Sequence, residues 1–176
     1  MSAVSVPLAR EKNAGLRALL VLAALLLLGG TWLPLGDPLP WPLRWLFTVL
    51  AGGVVWLMVA MPRSLGYVLT DEGLRVQRMS GTLTWPYADL KVLSPAGRLG
   101  LKVGGVGVPG YYSGNYSWQS PSGEVGPRFV QALASARQGG VLLAVRQRPY
   151  YLTPADPQAF ETALLARGVC RGKAGE

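Results

Sequence analysis

The chain has no histidine, and Cys170 is its one cysteine. Without an imidazole, a catalytic triad or a histidine general base cannot be built. One cysteine allows no disulfide within the chain and, with no histidine beside it, no ordinary His/Cys metal site. Acidic groups are also scarce, with 9 Asp and Glu against 17 Lys and Arg and a net charge of +8. These absences lead us to expect no enzyme activity, no cofactor and no metal. What is abundant is apolar: half of the residues are hydrophobic, which is high for a soluble domain and points to membrane segments. In such a chain a positive excess reflects cytoplasmic flanks and attraction to anionic lipid, so no nucleic-acid partner is expected.

Residues 1–13 are polar and basic (Arg10, Lys12), without a periodic apolar face, and read as a flexible tail. From Leu16 to Leu33 the sequence is almost purely apolar and long enough to span a bilayer, with Arg17 able to snorkel to the interface. A cleaved signal peptide fits less well. The apolar run exceeds the usual core of about 7–15 residues, no small-x-small site follows, and a second span comes directly after. The segment Pro34–Pro42 is punctuated by prolines and cannot stay helical. A second span runs from Leu43 to Met61, and Trp32, Trp41 and Trp45 gather at the turn end of both. Residues 14–63 therefore read as a transmembrane helical hairpin, in which Gly29-Gly30 and Gly52-Gly53 would permit close approach. Arg10, Lys12 and Arg17 lie at the start of the first span and Arg63, Arg75 and Arg78 follow the second, while the connecting turn holds Asp37 and no Lys or Arg, with Arg44 just inside the second span. The positive-inside rule then places both termini in the cytoplasm, at the inner membrane.

After Tyr67 the period becomes that of strands. Tyr67–Thr70, the turn Asp71-Glu72-Gly73 and Leu74–Arg78 read as a hairpin, with Leu74 and Val76 on one face and Arg75 and Gln77 on the other. Further strands are expected at Thr82–Trp85, Leu90–Leu93, Tyr111–Trp118, Glu124–Ser135, Val141–Arg146 and Tyr150–Leu152. Gly97–Gly110 reads as a glycine-rich loop. A short helix closes the segment: Thr153 or Asp156 can cap it, Pro154 or Pro157 can start it, and Phe160, Ala163 and Leu164 share a face. Gly168 is a natural stop, and residues 169–176 read as a second flexible tail.

Four stretches in this order carry a resemblance: Tyr67-Val68-Leu69-Thr70-Asp71-Glu72-Gly73-Leu74, Trp85-Pro86-Tyr87-Ala88-Asp89-Leu90, Gly110-Tyr111-Tyr112-Ser113-Gly114 and Tyr151–Phe160. The segment resembles the bacterial pleckstrin-homology-like (PH-like) domains, and the two apolar spans ahead of it resemble membrane-anchored members of that group. The resemblance implies an α+β, mainly β fold over residues 64–168, a bent antiparallel sheet of about seven strands capped by the C-terminal helix. It implies fold more than activity. Eukaryotic relatives hold phosphoinositides with basic residues around the first hairpin, where this chain carries Asp71 and Glu72; specific inositide binding is not expected.

Other motifs have plain structural readings. Gly105-Val106-Gly107-Val108-Pro109-Gly110 matches G-x-G-x-x-G, but a strand and not a helix follows, so a loop or bulge is expected in place of a nucleotide site. Asn115-Tyr116-Ser117 fits a glycosylation sequon, inert in a cytoplasmic domain. Arg75, Arg78, Lys91, Arg98, Lys102, Arg128, Arg137, Arg146 and Arg148 form a basic set suited to anionic lipid. In the strand from Tyr111, the face with Tyr112, Tyr116 and Trp118 reads as core, leaving Tyr111 and Asn115 for a partner beside the basic loop residues Arg98 and Lys102. The functional expectation is a membrane-anchored PH-like module that docks a protein at the cytoplasmic face. The alternative is a sensor of anionic headgroups through its basic surface.

Overall fold

A computed structural model describes residues 3–9, 14–33, 40–94, 96–120 and 126–173. The chain forms two compact units, one helical (Lys12–Arg63) and one sheet-based (Met1–Glu11 with Ser64–Glu176).

The helical unit pairs α1 (Ala14–Trp32) with α2 (Trp41–Arg63). Ala24 and Ala51 are its buried apolar residues, whereas Gly30, Gly52 and Gly53 have open space where a Cβ would stand. The helices thus meet through alanines and not through the glycine pairs. Near one end the Trp32 indole donates to Thr48 Oγ1 at 3.0 Å, and the rings of Trp32 and Trp41 each meet Trp45 edge-on, at 6.2 and 5.5 Å. Among the described residues, α2 is the helix long and apolar enough to cross a membrane; the apolar stretch Ala18–Trp32 of α1 is shorter. Arg10 and Lys12 ahead of α1, the side chain of Arg17 within it, and the turn residues 34–39 lie outside what is described.

The sheet unit contains β1 (Val4–Val6), β2 (Gly66–Leu69), β3 (Leu74–Arg78), β4 (Gly81–Trp85), a 3-10 turn (Tyr87–Asp89), β5 (Leu90–Ser94), β6 (Arg98–Val108) and β7 (Tyr111–Gln119). It continues with β8 (Phe129–Ala134), β9 (Val141–Val145), β10 (Arg148–Leu152), α3 (Pro157–Leu165) and β11 (Cys170–Lys173). The strands form a four-stranded sheet, β1-β2-β3-β4, and a seven-stranded sheet, β11-β5-β9-β10-β8-β7-β6. The second sheet is mixed, not antiparallel throughout: β10 runs parallel to β8, and β11 parallel to β5. The reason is connectivity. The β9–β10 hairpin inserts β10 beside β8, and α3 returns the chain so that β11 enters in the direction of β5.

Three segments depart from the expected layout. The N-terminal stretch is no free tail: Val4, Ser5 and Val6 pair with Leu69, Val68 and Tyr67, Ala9 N–H donates to Thr153 O at 3.0 Å, and Ala155 N–H to Pro7 O at 2.8 Å. Two valines in three residues give too short an alternation to announce a strand, but the open edge of β2 supplies partners. The C-terminal stretch likewise supplies β11, with 174–176 outside the described residues. The expected loop Gly97–Gly110 is mostly strand β6, broken by register shifts between Leu99 and Lys102 and between Lys102 and Gly104. Its glycines hid the period. Gly105 (φ +94°) and Gly114 (φ +143°) oppose each other so closely that a Cβ on either would lie within 2.4 Å of a backbone oxygen.

Two cores result. Between the sheets, the fully buried Tyr67 hydroxyl donates to Leu133 O and accepts from Thr153 N–H at 3.2 Å. Burial holds its ionisation well above the ordinary tyrosine range. Leu74, Val76, Phe160 and Leu164 are also buried, as the strand and helix periods required. On the other face of the large sheet, Leu99, Tyr112, Tyr116, Trp118, Val130, Ala132, Leu142 and Tyr151 form a second cluster. The β8–β9 connection closes one end of it, where Leu99 N–H donates to Arg137 O at 2.8 Å and Gly140 N–H to the Tyr151 hydroxyl at 3.0 Å.

The start of α3 follows its sequence signals: Pro157 opens it and Asp156 accepts from Ala159 N–H at 2.9 Å. Asp156→Ala is expected to cost about 0.5–2 kcal/mol. Asp156→Asn, which keeps an acceptor, should recover most of it in thermal denaturation of the detergent-solubilised chain.

Candidate binding surfaces

The four residues expected to meet a partner divide. Tyr111 lies on the open face of β7, as parity required, but only 3% of it is exposed, and its hydroxyl accepts from Met79 N–H at 3.4 Å. The β3–β4 turn covers that end of the face, so Tyr111 is a core residue, and its expected role is corrected. Asn115, two positions from the pair Ser113–Val106, is exposed. Arg98 pairs across the strands with Gln119, on the same face as Asn115, and its Nε donates to Gln119 Oε1 at 2.8 Å. Lys102 stands opposite Tyr116 and belongs to the other face. The structure thus groups Arg98 with Asn115 and separates them from Lys102 and Tyr111.

Around this group lie side chains that the sequence reading missed. Leu101 is 77% exposed, Val103 62%, Val106 39% and Phe129 44%. Leu101 occupies the first bulge, where its N–H donates to Ser117 Oγ at 2.8 Å, and Phe129 pairs with Ser117 from the opposite side. The Arg128 guanidinium sits 5.2 Å over the Phe129 ring. The available signal was Leu101-Lys102-Val103, apolar residues alternating with a cation inside a stretch read as loop.

A second concavity, of about 480 Å³, lies where β4 ends beside the β9–β10 turn. Trp85 and Tyr150 form its aromatic wall, with ring centroids 4.6 Å apart, and Thr84, Asp89, Arg146 and Arg148 supply its polar groups. Arg146 (φ 48°) and Gln147 (φ 71°) both take the left-handed conformation in this turn without being glycine. Such conformations disfavour L residues by roughly 1–2 kcal/mol each. The Arg146–Asp89 pair, at 2.8 Å, is too exposed to repay that by itself. Two cations beside an aromatic wall suit an anionic or planar group.

Burial pushes Tyr151 up to about 12 and raises Tyr116 and Tyr87, so all stay neutral donors at physiological pH. Of the carboxylates, Asp89 is paired with Arg146, Glu161 with Arg171 at 3.0 Å, and Asp156 caps α3.

A large mixed sheet packed on a smaller one, closed by a C-terminal helix and presenting open surfaces, is the build of a PH-like binding or scaffolding module. Residues 65–168 match the family model described as Bacterial PH domain, and the chain belongs to that family. No curated protein and no solved structure matches the chain.

Proposed function

We propose that the chain is an inner-membrane protein whose two helices both cross the bilayer and whose PH-like domain docks a protein partner at the cytoplasmic face, without catalysis. The observation that carries this is the pairing of β1 with β2. β1 precedes the helical unit and β2 follows it, yet they are neighbours in one sheet. A chain that leaves a sheet, enters a bilayer and rejoins the same sheet crosses an even number of times. If α2 spans, α1 must span with it. At 19 residues α1 is about 28 Å long, close to the thickness of a bilayer core. The outward leucines of both helices, Leu26 and Leu50 among them, are exposed, as lipid-facing side chains would be. The lack of any histidine and the engagement of Asp89, Glu161 and Asp156 in pairs or caps support binding over chemistry. The cleft beside Trp85 and Arg148 is the concave surface that suits a partner's acidic or planar group.

Orientation is tested with Cys170, which is exposed on β11. A membrane-impermeant thiol reagent is expected to label it only after the cells are permeabilised. In a Cys170→Ser background, a Trp41→Cys reporter at the opposite end of α2 should label in intact cells. Labelling of Cys170 in intact cells would invert the orientation. The same result for positions 170 and 41 would remove the spanning hairpin.

A further inference from the structure

Resting on the membrane-anchored reading above, we propose that β6 and the start of β8 form a second, direct bilayer contact, in which Leu101, Val103 and Phe129 enter an anionic leaflet beside Arg98 and Arg128. Three observations converge on it. The apolar side chains are among the most exposed in the sheet unit, Leu101 more so than any other large hydrophobic residue in the described chain. Contiguous exposed apolar surface marks an interaction site. Arg98 shares the face of Asn115 and Arg128 sits over the Phe129 ring, which is the pattern of an element lying in the headgroup region, apolar groups inward and Lys or Arg at the phosphates. Arg98 and Arg128 adjoin the apolar group, and the acids Asp89, Asp156 and Glu161 are engaged elsewhere, in the Arg146 pair, the α3 cap and the Arg171 pair, so this surface is complementary to an anionic partner.

A protein strand fits this surface less well. β6 is the outer strand of its sheet, but two register shifts between Leu99 and Gly104 break the ladder an added strand would need. Bulges of this kind are a device that blocks edge-to-edge pairing. A bilayer has no register to match and supplies the negative charge.

The test uses the full chain with Cys170→Ser, reconstituted into vesicles. An environment-sensitive fluorophore is attached to Val103→Cys, to Phe129→Cys as a second reporter, or to Glu72→Cys in the exposed β2–β3 turn as a control. Vesicles contain phosphatidylglycerol mixed with phosphatidylcholine, or phosphatidylcholine alone, with a quencher carried on the acyl chains. In the anionic vesicles, quenching at positions 103 and 129 is expected to exceed that at position 72 several-fold. The excess should fall in phosphatidylcholine alone, in high salt, and when Arg98 and Arg128 are both replaced by glutamate. Quenching at 103 and 129 no greater than at 72 overturns the contact. So does a fluorophore at 103 that is shielded from water, unquenched by lipid and crosslinked to position 103 of a second copy. Extraction in alkaline carbonate reads the anchored reading separately. A chain released by that wash is not spanning, whatever the fluorophores report, whereas a retained chain with unquenched reporters loses the second contact alone.

Discussion

Replacing Phe160 with alanine is expected to lower the stability of the sheet unit by about 3–5 kcal/mol. The side chain is 2% exposed and its ring lies 6.3 Å from that of Tyr67, the residue whose hydroxyl joins the two sheets through Leu133 and Thr153. Truncation would leave a cavity under α3, whose other buried side chain, Leu164, is already fully enclosed, beside sheets joined by the Tyr67 hydrogen bonds. Because a domain of this size has a net stability on the order of 5–15 kcal/mol, the loss is a large fraction of the total. Glu161, the next residue, faces outward and pairs with Arg171, two partly exposed groups at 3.0 Å. Glu161→Ala should therefore cost less than about 1 kcal/mol. Thermal denaturation of the full chain in detergent, read by protease resistance of the sheet unit, separates the two. Equal melting points would mean that α3 is not the plug between the sheets.

Trp118→Ala is expected to be as severe, about 3–5 kcal/mol, through the other core. The indole lies in the cluster on the second face of the large sheet and donates from Nε1 to Ala96 O at 3.0 Å. Backbone passes directly over it. A Cβ at Gly97 would come within 2.5 Å of the ring, and one at Gly126 within 1.9 Å, so both glycines are shaped around this side chain. Its removal would empty the space they enclose and leave the Ala96 carbonyl without its donor. Tyr111→Ala should also destabilise, by about 2–5 kcal/mol, because the ring is buried beneath the β3–β4 turn. Asn115→Ala, two pairs further along the same face, should stay within about 0.5 kcal/mol. A melting point unchanged by Trp118→Ala but lowered by Asn115→Ala would reverse the assignment of the two faces.

These contrasts show where the sequence was sufficient. Alternation fixed which side of β3 is buried, because period two leaves Leu74 and Val76 no other face. The same rule placed Tyr112, Tyr116 and Trp118 inward on β7. The signals at Asp156, Pro157 and Phe160 announced the start and the buried face of α3 through local hydrogen bonding and the helical period. Such features depend on neighbours within a few residues, which any reading of the chain can see. The family resemblance rested on the same local stretches, and it was these that marked out residues 65–168.

What the sequence did not hold was decided by partners far away along the chain. Val4–Val6 becomes a strand because β2, more than sixty residues later, leaves an edge open. The parallel pairs arise from the order in which hairpins and α3 deliver strands to the sheet, which no window of residues records. Tyr111 obeys its parity, yet it is buried because Met79, from the other sheet, closes over it. The exposed group around Leu101 and Phe129 exists because bulges and facing glycines turn an apparent loop into an edge strand. Local chemistry chose the faces of the strands, and long-range pairing chose which of those faces meet solvent.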